Sequence, residues 1–103
     1  NMLRGAVKCD KAGETITVMW EGTTFGINDI TENGEVIIEI EIDGMSPVVL
    51  KRTQNNKDKL YARNFFITAL PQGKHVAKLT VKSLPQGENY YVGQFMFAGV
   101  LQN

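Results

Sequence analysis

The stretch 35–44, EVIIEIEIDG, decides the fold. Val36, Ile38, Ile40 and Ile42 fall on one side of an extended chain, with Ile37, Glu39 and Glu41 on the other. A period of two marks a strand with one buried face, because successive side chains of an extended backbone point to opposite sides. The stretch closes on Asp43-Gly44, a dipeptide whose backbone accepts positive φ at low cost, as a tight hairpin turn requires.

The flanking residues repeat the pattern. Leu3, Gly5, Val7 and Cys9 alternate with Arg4, Ala6 and Lys8; Ile16, Val18 and Trp20 alternate with Thr15, Thr17 and Met19; Phe25 and Ile27 follow after Glu21-Gly22. Asn33-Gly34 is a second turn dipeptide, so residues 24–30, 35–42 and 47–52 are expected to form a meander. Pro47 opens its third strand, where a missing N–H does least harm. After a polar loop over 53–58 come two pieces, 60–62 and 64–68, then strands over 75–82 and 94–101. No segment of comparable length shows the helical period. About eight strands at a spacing of about 8–12 residues indicate a β-sandwich or a barrel.

Leu70-Pro71-Gln72-Gly73 and Leu84-Pro85-Gln86-Gly87 bracket one of these strands with the same four letters. Proline fixes φ and cannot donate to a ladder, while glycine lets the backbone turn, so each copy ends a sheet segment and re-aims the chain. Between them His75, Ala77, Leu79 and Val81 share the expected core face, and Val76, Lys78, Thr80 and Lys82 the other.

With 103 residues the chain is one domain, 1–103, and folding at this size removes roughly 60–70% of the unfolded surface, enough for one modest core. The start at Asn1, with strand pattern almost at once, is expected of a fragment of a longer protein. Eleven basic and eleven acidic side chains cancel, so no net field recommends nucleic acid or an anionic membrane as partner. The basic stretch KRTQNNKDK over 51–59 carries no aromatic that could stack on a base, and reads as a solvated loop. No window approaches the roughly 20 apolar residues of a membrane span, and the N-terminus lacks the apolar core of a signal peptide. Cys9 is the only cysteine, so an internal disulfide is excluded, and with a single histidine so is a Cys/His zinc cage.

Catalytic chemistry finds little support. A Ser-His-Asp hydrolase needs a mobile, exposed histidine held by a carboxylate, whereas His75 heads an alternating strand on the side of Ala77 and Leu79. It reads as a partly buried structural histidine with backbone partners for its ring nitrogens. Ser46 and Ser83 lie in turns without a nucleophile elbow. Glu39 and Glu41, at i and i+2 on one exposed face, are expected to meet cross-strand lysines rather than to act as an acid/base pair. No cluster of oxygen ligands suggests calcium. No catalytic residue, metal or cofactor is expected.

The aromatics say more. Phe25, Phe65, Phe95 and Phe97 fall on inner faces. Tyr90 and Tyr91 follow Gly87-Glu88-Asn89 at a corner and, being adjacent, must point to opposite faces. Tyr61 and Arg63 share a face, and Trp20 ends its strand against Glu21-Gly22. An outward aromatic beside an amide, guanidinium or carboxylate can stack on the apolar face of a sugar while its neighbours take the hydroxyls. Trp20, Tyr61, Arg63, Asn89, Tyr90 and Tyr91 are therefore the candidate glycan contacts.

The order GTTFGI (22–27), EIEIDG (39–44), LPQGKHVAKLTV (70–81) and FMFAGVL (95–101) resembles the small jelly-roll modules attached to bacterial carbohydrate esterases of the SGNH hydrolase superfamily, and is similar to galactose-binding-like carbohydrate modules. The resemblance implies a jelly-roll sandwich of two antiparallel sheets. It further implies a non-catalytic accessory module, secreted or periplasmic, that binds glycan or orients an adjacent hydrolase domain carrying the Ser/Asp/His machinery. Under it, Ile42-Asp43-Gly44 is a hairpin corner, and Leu70, Gly73 and His75 open a core strand. The rival expectation is a structural sandwich that assembles with another chain through a sheet face or a bare edge.

Overall fold

A computed structural model describes residues 7–54 and 61–102, and their side chains except those of residues 61, 62, 94 and 98–102. They form seven strands: β1 (Val7–Cys9), β2 (Thr15–Thr31), β3 (Gly34–Ile42), β4 (Val48–Gln54), β5 (Tyr61–Ile67), β6 (Gly73–Ser83) and β7 (Tyr90–Gln102). All pairs are antiparallel.

The strands make two layers that share β2. Residues 15–22 of β2 pair with β6, which continues to β3 and β4, while residues 25–31 pair with β5. Along its other edge β2 pairs with β7 over both halves, and β7 carries β1. One layer is thus β4–β3–β6–β2 and the other β5–β2–β7–β1, an all-β sandwich.

The core between them is the alternation made real. Val36, Ile38, Ile40 and Ile42 from β3 pack with His75, Ala77, Leu79 and Val81 from β6, and with Trp20, Phe25, Ile27, Tyr90, Val92 and Phe95 from β2 and β7. Phe65 and Phe97 lean against this cluster, as expected of inner-face residues. The ring of Trp20 lies 5.2 Å from that of Phe25 and 5.4 Å from that of Phe97, in the range where offset and tilted aromatic pairs attract.

One residue decides how β2 serves both layers. In its first half the buried parity is even, ending at Trp20 and Gly22; in its second half it is odd, with Phe25, Ile27, Asp29 and Thr31. The partner register along β7 runs from Gly22↔Gly99 to Thr24↔Ala98, leaving Thr23 as an extra residue, a β-bulge. The Thr23 carbonyl, out of the ladder, accepts from the Leu70 amide of the first LPQG at 2.9 Å. A bulge in β7 at Gly93 makes the same change of parity between Val92 and Phe95.

Several boundaries differ from the sequence reading. Residues 16–20 and 25–27 belong to one bulged strand, and the two pieces after residue 60 are one strand, β5. The meander is halved: β3 and β4 form a hairpin, but β2 and β3 are not paired. Both edges of β2 are already taken, by β7 on one side and by β6 and β5 on the other, so Asn33-Gly34 carries the chain across to the opposite layer. Gly34 has φ +101°, and a Cβ there would stand 2.7 Å from Cγ of Pro85 in the second LPQG. Asp43-Gly44 is the turn expected of it. Both residues have positive φ, 54° and 74°, and the Met45 amide donates to the Ile42 carbonyl at 2.9 Å. Residues 3–6 and 55–58 lie outside the described residues.

Candidate functional site

Polar chemistry gathers in three places. The first ties the layers together. Asp29, with a side chain 0% exposed, accepts Nε of Arg52 at 2.9 Å and Nη2 at 3.0 Å, a bidentate pair reaching from β2 to β4. The Tyr90 hydroxyl donates to the same carboxylate at 2.9 Å. Burial, with the Asp29 charge behind it, pushes the Tyr90 phenol far up, so it stays a donor at any physiological pH. Arg63, opposite Asp29 on β5, donates from Nη2 to the Thr53 carbonyl at 2.7 Å, and Thr31 and Gln54 are also buried.

The second is a clasp of two turns. The Glu32 carboxylate accepts the Asn89 amide at 2.6 Å and its Nδ2 at 3.3 Å, and takes the Tyr91 hydroxyl at 3.1 Å. Glu88 answers from the other side by accepting the Asn33 amide at 2.9 Å. Partial burial and the Glu32 carboxylate raise the Tyr91 phenol.

The third surrounds the single histidine. His75 Nδ1 lies 2.6 Å from Asp43 Oδ2 and Nε2 lies 2.7 Å from the Pro71 carbonyl. Both nitrogens face acceptors, so the doubly protonated ring satisfies both and a neutral ring only one. The hydrogen bond to Asp43, reinforced by the Pro71 carbonyl, accordingly raises the imidazole above its ordinary value. For Asp43 burial pushes upward, but the bonds from His75 and the Val76 amide outweigh it and leave the carboxyl below the usual range. His75 is largely buried with both ring nitrogens engaged, as expected, but its partners are one carbonyl and one carboxylate from the hairpin turn rather than backbone alone.

The candidate contacts separate accordingly. Trp20 and Tyr90 are 0% exposed, so neither offers a ring face to solvent. Trp20 does not end a strand. It lies in the interior of β2, its ring 5.3 Å from that of His75. Tyr90 obeys the rule of adjacent residues by pointing inward, which leaves Tyr91 outward and half-buried. Asn89 and Tyr91 meet on Glu32, while Arg63 faces the gap between β5 and β4. Tyr61 stands opposite Thr31 in β5, and its side chain is outside those described.

Sequence reasoning passed over the residues that organise these clusters. Asp29, Arg52 and Glu32 carry no motif and become visible only when the layers stack. Phe66 was legible, because Phe65-Phe66 obeys the same rule as Tyr90-Tyr91. Phe65 packs inward and Phe66, 49% exposed, lies on the outer face of β5–β2–β7. Opposite it is Gly26, where an added Cβ would fall 2.5 Å from Phe66 Cδ1 and 2.6 Å from Cε1. The ring therefore leans across onto β2. Two register pairs along, on the same face, Asn28 Nδ2 donates to Asn64 Oδ1 at 2.9 Å.

No family model matches the chain, and no curated protein does. Solved structures share its fold. A family two carbohydrate esterase from Cellvibrio japonicus superposes with TM-score 0.78 at 13% identity, over 98% of this chain and 31% of the esterase. A family two carbohydrate esterase from Clostridium thermocellum, in complex with cellohexaose, gives 0.71 at 18% identity, over 100% of this chain and 33% of that one. The CBM36-1 domain of a multidomain xylanase from the hindgut metagenome of Trinervitermes trinervoides gives 0.59 at 10% identity, over 90% and 78%. The chain thus spans about a third of the esterases' length and most of the carbohydrate-binding domain's, with the β-sandwich common to all.

Proposed function

We propose that this chain is a non-catalytic, carbohydrate-binding accessory module that stands beside a hydrolase domain in a longer protein. The observation that carries the reading is the state of its one histidine. A general base needs a ring lone pair within reach of substrate, and here both nitrogens are engaged, by Asp43 and by the Pro71 carbonyl, in a ring 8% exposed behind the first LPQG corner. With acid/base chemistry disfavoured, what the fold offers is surface. Its likeness to a carbohydrate-binding domain over most of that domain, and to only a third of each esterase, supports a role in holding glycan near a separate active site. Tyr91 and Asn89, steadied by Glu32, and Arg63 with Tyr61 at the β5 edge are the polar contacts carried into this proposal.

Affinity electrophoresis through soluble glucomannan, xylan and hydroxyethylcellulose tests it. Retardation by at least one polysaccharide, unchanged at high salt, is expected, together with no turnover of p-nitrophenyl acetate. Ester hydrolysis abolished by His75→Ala would refute the non-catalytic reading.

A further inference from the structure

Among the exposed large hydrophobic side chains of the described residues, Phe66 is the one aromatic. Its position answers to physical causes that a stray surface phenylalanine would not need. Gly26 has an ordinary strand conformation, so nothing in its backbone calls for glycine; what the missing Cβ provides is room for the edge of the Phe66 ring over β2. The Asn28 carboxamide, bonded from Nδ2 to Asn64 Oδ1 and more weakly to the Arg63 carbonyl at 3.5 Å, fixes the Asn64 amide beside that ring. Among the described residues no acceptor holds Asn64 Nδ2. Toward the far end of the face Tyr91, across from Ile30, is oriented by Glu32.

From the Gly26 row to the Ile30 row is about 13 Å along β2, and from β5 to β7 about 10 Å across, at ~3.3 Å per residue and ~4.8 Å per strand. Phe66, the Asn64–Asn28 pair and Tyr91 therefore mark a diagonal track. Among the described residues the charged group at the track is the Glu32 carboxylate that accepts the Tyr91 hydroxyl at one end; Lys8, opposite Tyr91 on β1, stands beyond that end.

We infer that this face is a binding surface for a neutral polysaccharide chain, with the Phe66 ring stacking on one pyranose and the Asn64 and Asn28 amides taking hydroxyls of the next. The inference rests on the carbohydrate-binding reading and gives it a location. An exposed aromatic ring whose edge rests over Gly26, beside oriented amides, fits the alternation of apolar ring faces and equatorial hydroxyls in a sugar chain. The track offers no cation among the described residues and carries the Glu32 carboxylate at its Tyr91 end, which selects a chain without uronates, since a second carboxylate there would be desolvated without a partner. Gly26 is a positioning residue in this scheme.

The test compares the native chain with Phe66→Ala, Gly26→Ala and Asn64→Ala in affinity electrophoresis through soluble glucomannan, xylan and hydroxyethylcellulose, with polygalacturonate as the charged control. Loss of the stacking ring is expected to weaken binding about tenfold or more. Gly26→Ala should weaken it as well, because the new methyl displaces the ring, while its urea midpoint stays near the native value. A merely structural Gly26 would lose stability and keep its affinity. Native binding that survives Phe66→Ala undiminished, or that is strongest for polygalacturonate, overturns the location and leaves the carbohydrate reading standing. A native chain retarded by none of the polysaccharides overturns both.

Discussion

On the outer face of the β4–β3–β6–β2 layer, Glu21 stands opposite Lys74 and Glu41 opposite Lys78, and Lys51 reaches Glu35 at 3.8 Å. On the outer face of β5–β2–β7 the same strand, β2, presents Thr24, Gly26, Asn28 and Ile30, flanked by Asn64, Phe66, Tyr91 and Met96. Both faces cover one core, and both are built on β2 and its neighbours. Charge of both signs keeps a sheet face hydrated and discourages wrong pairings, at little gain in stability. A face that gives up this protection and rests an aromatic ring over a glycine keeps an exposed apolar surface available to a ligand. The boundary between the two is the bulge at Thr23, which turns the even side of β2 from inside to outside within one residue.

The sharpest way to break that contrast is to delete Thr23. Without the extra residue the second half of β2 inverts, placing Phe25, Ile27 and Asp29 outside and Asn28 within. Exposing Phe25 and Ile27 costs about 1.5–3 kcal/mol each and breaking the buried Asp29–Arg52 pair about 3–5 kcal/mol more, together comparable to a whole stability of about 5–15 kcal/mol. The deletion variant is expected to show no cooperative urea transition by Trp20 fluorescence. A native-like transition would mean that the bulge does not set the faces.

A smaller loss follows from cutting the tie between the layers. Asp29→Ala leaves the Arg52 guanidinium, 13% exposed, without its bidentate partner and the Tyr90 hydroxyl without its acceptor, which should cost about 3–5 kcal/mol. Glu41→Ala, removing a charge from the outer face, should stay within about 0.5 kcal/mol. Equal effects from the two would remove the distinction between an interior charge that holds the sheets and surface charges that only clothe one of them.

The smallest of the stability effects is a pH slope from the His75–Asp43 lock. The imidazole is raised in the folded state, so its contribution is complete below the unfolded histidine value of about 6.5 and fades as pH rises through the folded one. The Asp43 carboxyl is lowered, so its contribution is complete above about 4 and fades as pH falls through its folded value. The urea midpoint is expected to be highest between those limits and to fall toward pH 9, and His75→Gln should flatten the alkaline limb. An alkaline limb as steep in the variant as in the native chain would place the titration elsewhere. Cys9, buried and pushed up to about 11 by desolvation and Glu14, stays protonated in the folded chain while the unfolded thiol ionises from about 8.5, so it adds a slope at the alkaline end that His75→Gln leaves in place.

What could be read before the structure follows from the range of the forces involved. Strands, core faces and the Asp43-Gly44 hairpin are local, and alternation in 35–42 and 75–81 announces them without reference to the rest of the chain. The Asn33-Gly34 crossing was not legible, because a turn dipeptide records that the chain bends and not which partner strand awaits it. Only the occupied edges of β2 decide that. The same holds for the site: Asp29 and Arg52, or Glu32 and Asn89, meet through layer stacking and corner packing between distant residues. Trp20 misled for a related reason. It stands before Glu21-Gly22, which reads as a strand end in one dimension, whereas β2 continues through the bulge and buries the indole. Phe66 was within reach of the adjacent-residue rule.

The most direct measurement is a two-dimensional amide NMR titration of the native chain with an oligosaccharide of whichever neutral polysaccharide retards it in electrophoresis. Shifts concentrated at Gly26, Asn28, Asn64, Phe66 and Tyr91, including the asparagine side-chain amides, are the predicted result. Shifts concentrated instead at Glu39, Glu41, Lys74 and Lys78 would put the ligand on the charged face and contradict the account.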